Sequence, residues 1–392
     1  MRTYQKTHSW ISFQVDLRQA PVGLWMLAGE AISKCEHLAG APLLPDTAKR
    51  LHLLYLVKGA LATTAIEGNT LTEEEAIKRV QGKLELPASK EYLGQEIDNI
   101  VKACNAILAE IEEGKSIEIN PARIQAFNRQ VLEGLPLRDE VSPGAIRTYA
   151  VGVAAYRGAP AEDCEFLLAR LCEWLTGPEW SAQPDTPLAT AILKAVVAHL
   201  YLAWIHPFGD GNGRTARLLE FQILIDAGVP TPAAHLMSNH YNQTRAEYYR
   251  QLDRASQSGG DITPFLVYAL HGFVDGLRAQ IDQIRVQQWE VSWQNYVHDV
   301  FRGKMSSGDL RRRQLLLDLS AKPEGVRRVD LQRISPEVAT LYARKTPKTL
   351  SRDVNALIGM GLMEEREDGN CRAKRETILA FLPLRRRPRV AK

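Results

Sequence analysis

The stretch from His206 to Arg217, His-Pro-Phe-Gly-Asp-Gly-Asn-Gly-Arg-Thr-Ala-Arg, restricts the fold of this chain more than any other feature. Gly211 and Gly213 alternate with polar residues, so successive backbone N–H groups can turn toward one point and form an anion-binding nest. A helical apolar pattern resumes at Thr215, so the loop opens a helix whose positive end also favours phosphate. The sequence therefore predicts a phosphate-binding turn between two helices.

The side chains of this stretch supply the chemistry of phosphate transfer. His206 is fixed by Pro207 and can accept a proton near neutral pH. The Asp210 carboxylate can hold a divalent cation that bridges phosphate oxygens. Arg214 and Arg217 lie on nearly the same side of the first helical turn, where two guanidinium groups can grip phosphoryl oxygens. No Gly-Lys-Ser/Thr follows, which excludes a Walker A loop, and a helical pattern precedes the loop where a dinucleotide fold needs a strand.

Every defined position of the signature HPFx[D/E]GNGRxxR is matched here, and the chain therefore resembles the Fic family. The resemblance implies transfer of a nucleotide moiety, usually AMP from ATP, to a Ser, Thr or Tyr hydroxyl of a target protein or of the protein itself. It implies that His206 deprotonates the attacking hydroxyl and that Asp210 holds Mg2+. The ATP-binding residues that it implies are Phe208, as an apolar plug under the loop, and Gly209, Gly211, Asn212, Gly213, Arg214 and Arg217.

A second segment, Thr63-Thr-Ala-Ile-Glu67-Gly68, resembles the inhibitory motif [S/T]xxxE[G/N] of the same family. The apolar run before it is helical, and Gly68-Asn69 supplies a helix stop. The resemblance implies that Glu67 pairs with Arg217 and removes it from the γ-phosphate, so that the chain inhibits itself. An ordinary C-capped helix with a surface glutamate is the alternative interpretation.

Two further regions fit the same resemblance. β-branched and aromatic residues among glycines predict a short hairpin within residues 141–160. In Fic proteins the corresponding flap aligns the target segment by strand pairing, although a simple connecting hairpin would give the same pattern. Polar and aromatic residues at Asn239, Tyr241 and Tyr249 are candidates to border the nucleotide base, because a ring can stack on adenine. A tyrosine cluster that only packs is the alternative.

Composition limits the class of protein. A length of 392 residues with 45% hydrophobic and 24% charged residues predicts two or three soluble domains. Five scattered cysteines form no CxxC pair, which favours a reducing compartment and argues against a zinc site. The N-terminus lacks a signal-peptide pattern, and we expect no apolar run of membrane-spanning length. The expected location is cytoplasmic, without a membrane partner.

The C-terminal region is basic. Residues 302–392 contain 22 Lys and Arg against 11 Asp and Glu, whereas residues 1–301 carry a net negative charge. Three helical segments, the last at 346–358, precede a strand pair around the turn at Asp368-Gly-Asn. This order resembles a winged helix-turn-helix domain with 346–358 in the recognition position, where Lys348, Thr349, Ser351 and Arg352 form the outward polar face. Such a domain binds DNA or docks proteins, and the sequence leaves both functions open.

The fold class expected is mainly α, with a Fic-type helical core, a β-hairpin flap and a small C-terminal winged-helix domain. The expected domains are an N-terminal helical region (1–100), the catalytic core (101–275), a linker helix (276–301) and the winged helix (302–392). The expected function is a Mg2+/ATP-dependent protein adenylyltransferase. The alternatives are a DNA-associated regulator with a nucleotide-sensing core, phosphotransfer, and removal of AMP by the same loop. Fic proteins often dimerise, so a homodimer is also expected.

Overall fold

The computed structural model describes residues 1–115, 117–153, 156–180 and 187–378. As the sequence predicts, it is mainly helical. The chain divides into two units, Met1–Asp282 and Gln283–Lys392. The α-helices of the described residues are α1 (Tyr4–Thr7), α2 (Val22–Ala39), α3 (Pro45–Ala65), α4 (Glu73–Val80), α5 (Glu91–Glu112), α6 (Pro121–Val131), α7 (Cys164–Leu175), α8 (Pro187–Ile205), α9 (Asn212–Asp226), α10 (Thr231–Ala234), α11 (Leu236–Gln243), α12 (Arg245–Gln257), α13 (Thr263–Val300), α14 (Ser307–Ser320), α15 (Pro336–Tyr342) and α16 (Pro347–Gly359).

Helix α8 lies at the centre of the first unit and leads directly into the predicted phosphate-binding turn. Its apolar side chains face every direction, and 78% of the helix is buried inside the protein. It packs against α9, which begins directly after the turn. The expectation that no apolar run reaches membrane-spanning length is wrong for α8, which passes that test by length and composition. Its burial among other helices is typical of a core helix, which needs the same composition.

The helix α3 ends where the sequence predicts a stop. Ile66 caps the helix, and Gly68 follows with a φ of 110°, a backbone conformation that glycine adopts without strain. The Asn69 amide then donates to the Leu93 carbonyl at 2.8 Å and to the Glu96 carboxylate at 2.9 Å. These bonds fix the end of α3 against α5, so that the residues before Gly68 have a defined position beside α9.

The predicted hairpin within residues 141–160 is confirmed in its described part. Strand β1 (Gly152–Val153) pairs antiparallel with β2 (Tyr156–Arg157). The two residues between the strands, 154 and 155, lie outside the described residues. The segment before β1 approaches the phosphate-binding turn, because Ile146 forms an isolated bridge with Phe208.

The second unit contains α14, α15 and α16 together with an antiparallel sheet of β3 (Val326–Arg327), β4 (Met363–Glu365) and β5 (Asn370–Ala373) in the order β3-β5-β4. Its core is a separate apolar cluster of residues that includes Trp293, Val297, Phe301, Leu315, Leu331, Val338 and Leu357. The buried Asp353 carboxylate on α16 accepts from Arg311 at 3.1 Å, Arg312 at 2.9 Å and the Tyr342 hydroxyl at 2.9 Å. This order of helices and strands is compatible with a winged helix, which stays a prediction.

The two units divide the chain differently from the predicted domains. Residues from 1–100 and 101–275 contribute to one continuous apolar core, so the structure gives no boundary near residue 100. Within the predicted linker helix (276–301), Trp293, Val297 and Phe301 are buried in the second core. The arginine-rich end at 385–389 lies outside the described residues.

Candidate active site

The turn between α8 and α9 adopts a shape that the sequence makes possible only at particular residues. His206 has a φ of 51° and Gly211 a φ of 73°, so both residues adopt a left-handed backbone conformation. The Asn212 side chain accepts from the Phe208 N–H at 2.9 Å and donates to the Phe208 carbonyl at 2.8 Å. Phe208 itself is fully buried, as expected for the plug under the loop. The Asn212 side chain therefore shapes the turn.

Two further glycines of this loop lie directly against neighbouring side chains. A Cβ on Gly209 would lie 2.2 Å from the Tyr149 hydroxyl oxygen, which is far inside van der Waals contact. A Cβ on Gly213 would lie 2.2 Å from Glu67 Oε1 and 3.1 Å from Arg217 Nη1. The open face of the first turn of α9 is therefore a narrow space between a carboxylate and a guanidinium.

A buried arginine holds the turn against the segment before β1. Arg147 donates through Nε to the His206 carbonyl at 2.7 Å and through Nη1 to the Tyr149 carbonyl at 2.6 Å, and Nη2 donates to the Ala159 carbonyl. Its own N–H donates to the Pro207 carbonyl at 2.9 Å. In the sequence, Pro143-Gly144 and Arg147 match the Fic pattern before the hairpin, but the main-chain carbonyls that Arg147 binds could not be identified from that pattern.

The His206 side chain faces the cavity described below. Burial lowers the pKa of His206 to about 4, so the imidazole is neutral near pH 7. Its Nδ1 lies 3.3 Å from the Ala203 carbonyl oxygen. A hydrogen on Nδ1 satisfies that carbonyl and leaves Nε2 as the proton acceptor.

Glu67 and Arg217 form the ion pair that the second motif predicts. Arg217 Nη2 donates to Glu67 Oε1 at 2.6 Å and to the Thr63 carbonyl at 2.9 Å. The Arg217 side chain is 1% exposed and that of Glu67 is 32% exposed. Burial opposes ionisation of Glu67, but the charge and hydrogen bond of Arg217 outweigh it and hold the pKa of Glu67 below its ordinary value. Both groups are therefore charged at neutral pH.

Arg214 has a different environment from the one implied by the resemblance. It donates to Glu96 Oε1 at 2.8 Å and to Asp210 Oδ1 at 3.3 Å, and it does not line the cavity. Burial raises the pKa of Glu96, although the Arg214 charge opposes that rise. Glu96 was missed in the sequence, since nothing in its local pattern indicates a partner on α9. Arg214 thus fastens α9 to α5 in this state.

Asp210 is the acidic residue within the turn itself, and its carboxylate contacts Arg214. Its side chain is 48% exposed and accepts the Gly211 N–H. Within the described ranges, no group of three or more His, Cys, Asp or Glu side chains could hold a metal ion. Mg2+ commonly takes only one or two protein carboxylates and completes its shell with phosphate oxygens and water. A single half-exposed carboxylate beside the turn fits a cation that arrives with a triphosphate.

A cavity of about 320 Å3 connects these groups with an aromatic wall. His206, Gly213, Arg217 and Glu67 lie at its polar part. The remaining lining residues come mainly from α8 and α12 and are Tyr156, Ala203, Trp204, Tyr248, Tyr249, Arg250, Leu252 and Asp253. The cavity therefore joins a phosphate-binding turn to a surface on which a planar ring can stack.

The predicted base-pocket residues differ in their position relative to this cavity, and their role stays a prediction. Tyr249 lines the cavity, whereas Asn239 and Tyr241 do not. The prediction for Tyr241 is wrong in position, because its ring is fully buried and stacks on Tyr248 at a centroid distance of 4.9 Å. Tyr248 and Leu252 also line the cavity but were not among the predicted residues. They lie one turn apart on α12 beside Tyr249, and this helical spacing could have indicated them.

Residues 118–224 match the profile of the Fic/DOC family. This chain carries a Fic domain. Protein adenylyltransferase fic-1 of Caenorhabditis briggsae is 30% identical over 232 residues, which are 59% of this chain and 42% of that protein. Protein adenylyltransferase Fic of Nematostella vectensis is 32% identical over 209 residues, which are 52% of this chain and 44% of that protein. The chain thus spans less than half the length of these relatives.

Solved Fic structures resemble the fold. A Fic family protein from Desulfovibrio desulfuricans G20 aligns with a TM-score of 0.56 and 21% identity over 90% of this chain and 95% of that one. Fic-1 from C. elegans aligns with a TM-score of 0.52 and 25% identity over 67% of this chain and 73% of that one. These alignments support the mainly α, Fic-type fold.

Proposed function

We propose that this Fic protein transfers AMP from ATP to a Ser, Thr or Tyr hydroxyl of a target protein, including its own. The observation that carries the proposal is one cavity that contains the His206 ring, the start of α9 at Gly213, the Arg217 guanidinium and an aromatic wall. Arg217 Nη1 is buried without a hydrogen-bond partner in the described part of the chain. A phosphate oxygen would satisfy this donor. Curated relatives named protein adenylyltransferase support the same reaction.

The reaction needs an acceptor for the hydroxyl proton and stabilisation of charge at phosphorus. His206 Nε2 takes the proton while the Ala203 carbonyl holds Nδ1–H. The target oxygen attacks the α-phosphorus, the bond to the β-phosphate bridging oxygen breaks, and pyrophosphate leaves. The positive end of α9 and Arg217 stabilise the negative charge on the phosphates. Asp210 would hold Mg2+, which neutralises part of the triphosphate charge when it is bound.

Glu67 inhibits this reaction under the same proposal. Its carboxylate contacts Arg217 at 2.6 Å and stands beside the open face of Gly213. A negative group at this place repels a triphosphate and occupies the donor that would orient the γ-phosphate. Thr63 contributes its carbonyl to the same guanidinium, and Gly68 ends the inhibitory segment.

Label transfer distinguishes the reaction from its alternatives. Glu67→Gly protein incubated with MgATP should incorporate α-label and no γ-label, and a further His206→Ala change should lower incorporation at least about 100-fold because general-base help is lost. Incorporation of γ-label would indicate phosphotransfer. Release of AMP from previously modified protein, without net incorporation, would indicate the reverse reaction. The homodimer and the cytoplasmic location stay predictions.

DNA binding by the second unit is a second candidate function. Four cations lie at or before the first turns of α16 and are exposed without an ion-pair partner within the described residues: Arg344, Lys345, Lys348 and Arg352. Unpaired cations around a helix start favour phosphate contacts. Binding to duplex DNA in a gel-shift experiment, lost at increasing salt, would support this function, and absence of binding at low salt would contradict it.

A further inference from the structure

A network of four buried polar side chains lies behind the cavity. Tyr241 Oη donates to Glu220 Oε1 at 2.9 Å, and His199 Nδ1 lies 3.3 Å from Glu220 Oε2. His199 Nε2 lies 2.8 Å from the Tyr248 hydroxyl oxygen. None of the four residues is more than 3% exposed. The network joins α8, α9, α11 and α12 within the first unit.

The chemistry of these groups sets the direction of each hydrogen bond. An ionised Glu220 can only accept, so the Tyr241 hydroxyl and His199 Nδ1 must both donate to it. A neutral His199 then has a free lone pair on Nε2, which accepts from the Tyr248 hydroxyl. The Tyr248 ring is therefore held by a hydrogen bond to His199 Nε2, and the Glu220 carboxylate keeps that nitrogen free to accept it.

Two members of the network link the phosphate end of the cavity to its aromatic wall. Glu220 follows Arg217 on α9 by one helical turn, and Tyr248 lines the cavity on α12. Buried polar groups of this kind contribute little net stability compared with apolar residues of similar volume. Their value lies in admitting only one arrangement of the helices that carry them.

We infer that His199 and Glu220 are positioning residues that set the distance between Arg217 and the Tyr248 wall to fit a bound nucleoside triphosphate. This inference rests on the proposed function for the identity of that ligand as ATP. The phosphate grip and the wall lie on different helices, α9 and α12. The network fastens the two, so neither can shift without breaking a buried hydrogen bond.

Two variants test the network without changing side-chain volume. Tyr248→Phe keeps the ring in the cavity and removes only its hydroxyl. Glu220→Gln donates an N–H to His199 Nδ1, which moves the ring hydrogen to Nε2 and reverses the bond to Tyr248. Nε2–H then donates to the Tyr248 oxygen, and the Tyr248 hydroxyl hydrogen loses its acceptor. In Glu67→Gly protein, each should weaken binding of the ATP analogue AMPCPP about fivefold and raise the KM for ATP equally, with kcat nearly unchanged. Because both variants act through the Tyr248 hydroxyl, the double variant should weaken binding no more than either single one.

Tyr342→Phe is the matched control, because the Tyr342 hydroxyl donates to the buried Asp353 carboxylate at 2.9 Å in the second unit. It should lower the melting temperature and leave analogue binding unchanged. The inference is overturned if Tyr248→Phe and Glu220→Gln also lower only the melting temperature, or if their effects on binding add. It is overturned together with the proposed function if Glu67→Gly protein binds no analogue. If Glu67→Gly protein binds the analogue but transfers no AMP, only the proposed function is contradicted. The analogue affinities of the variants then still test the role of the network.

Discussion

Glu67 and Arg217 make the contact that controls access to the cavity in this account. A carboxylate 2.6 Å from a guanidinium that is 1% exposed keeps a donor of the phosphate site occupied. Ion pairs between exposed side chains contribute little free energy. A pair with one buried member matters more, because loss of its partner leaves a buried guanidinium without an anion. A triphosphate is such an anion.

Removal of the Glu67 carboxylate should therefore activate the protein. Glu67→Gly should raise the rate of self-modification by about 10- to 100-fold, the equivalent of one charge-assisted hydrogen bond. The rate is measured as α-label incorporation at fixed MgATP. Glu113→Gly is the matched control, since Glu113 also directly precedes a glycine at the end of a helix and, among the described residues, pairs with the exposed Lys115. Equal rates for wild type and Glu67→Gly would refute the inhibitory role.

The pH dependence of the activated protein reports the state of His206. Because burial lowers the pKa of His206 to about 4, its base form persists as the pH falls from 7 to about 5. The base form of an ordinary histidine is lost around pH 6.5. The self-modification rate of Glu67→Gly protein at saturating MgATP should stay nearly constant down to about pH 5 and fall below it. A decline centred near pH 6.5 would show that the imidazole is not enclosed as described.

At the scale of elements, Arg147 determines how the turn between α8 and α9 meets the segment before β1. It donates to the carbonyls of His206, Tyr149 and Ala159 with one guanidinium. A lysine can replace only part of this geometry, because its ammonium lacks the planar arrangement of donors. The hairpin and the catalytic base would then lose their common support.

Arg147→Lys should lower the self-modification rate of Glu67→Gly protein by about 100-fold, since small displacements of a positioned group have effects of that order. Arg123→Lys is the control, because Arg123 pairs with Glu110 and Gln222 away from the turn. Both variants lose buried contacts and should melt at lower temperature. Similar activity of the two variants would contradict the role given to Arg147.

The turn could be predicted from sequence because its determinants are local. The glycines, His206 and the arginines lie within one short stretch, and their order alone indicates a phosphate-binding loop before a helix. The end of α3 at Gly68 was predictable for the same reason, and so was the hairpin. The apolar length of α8 was underestimated, because Lys194 and His199 interrupt the run in the sequence although the helix as a whole is apolar.

The walls of the cavity could not be predicted in the same way, because they depend on tertiary packing. Tyr241 and Tyr249 looked equivalent in the sequence, yet the first is buried beside Glu220 and the second lines the cavity. Arg214 contacts Glu96, but three helices, α6 to α8, separate the two residues in the sequence, so no local pattern indicates the contact. The boundary at Asp282 was missed, because α13 continues through it without a break in helical pattern.

At the scale of the whole molecule, the two units have opposite charge balance and separate cores. Lys348→Glu should weaken duplex DNA binding severalfold and reduce its salt dependence, because one phosphate contact is lost and one repulsion is gained. Lys322→Glu makes the same charge change at another exposed position of the unit and should have a smaller effect. Equal effects of the two variants would indicate attraction by net charge without a defined surface.

The central proposal is that His206, the start of α9 and Arg217 hold one triphosphate so that a hydroxyl attacks its α-phosphorus atom. The most direct test is intact mass spectrometry of Glu67→Gly protein after incubation with MgATP, alongside Glu67→Gly/His206→Ala protein. The account predicts a mass increase of one or more AMP groups in the first protein and none in the second. An increase by a single phosphate, or no increase in either protein, would contradict it.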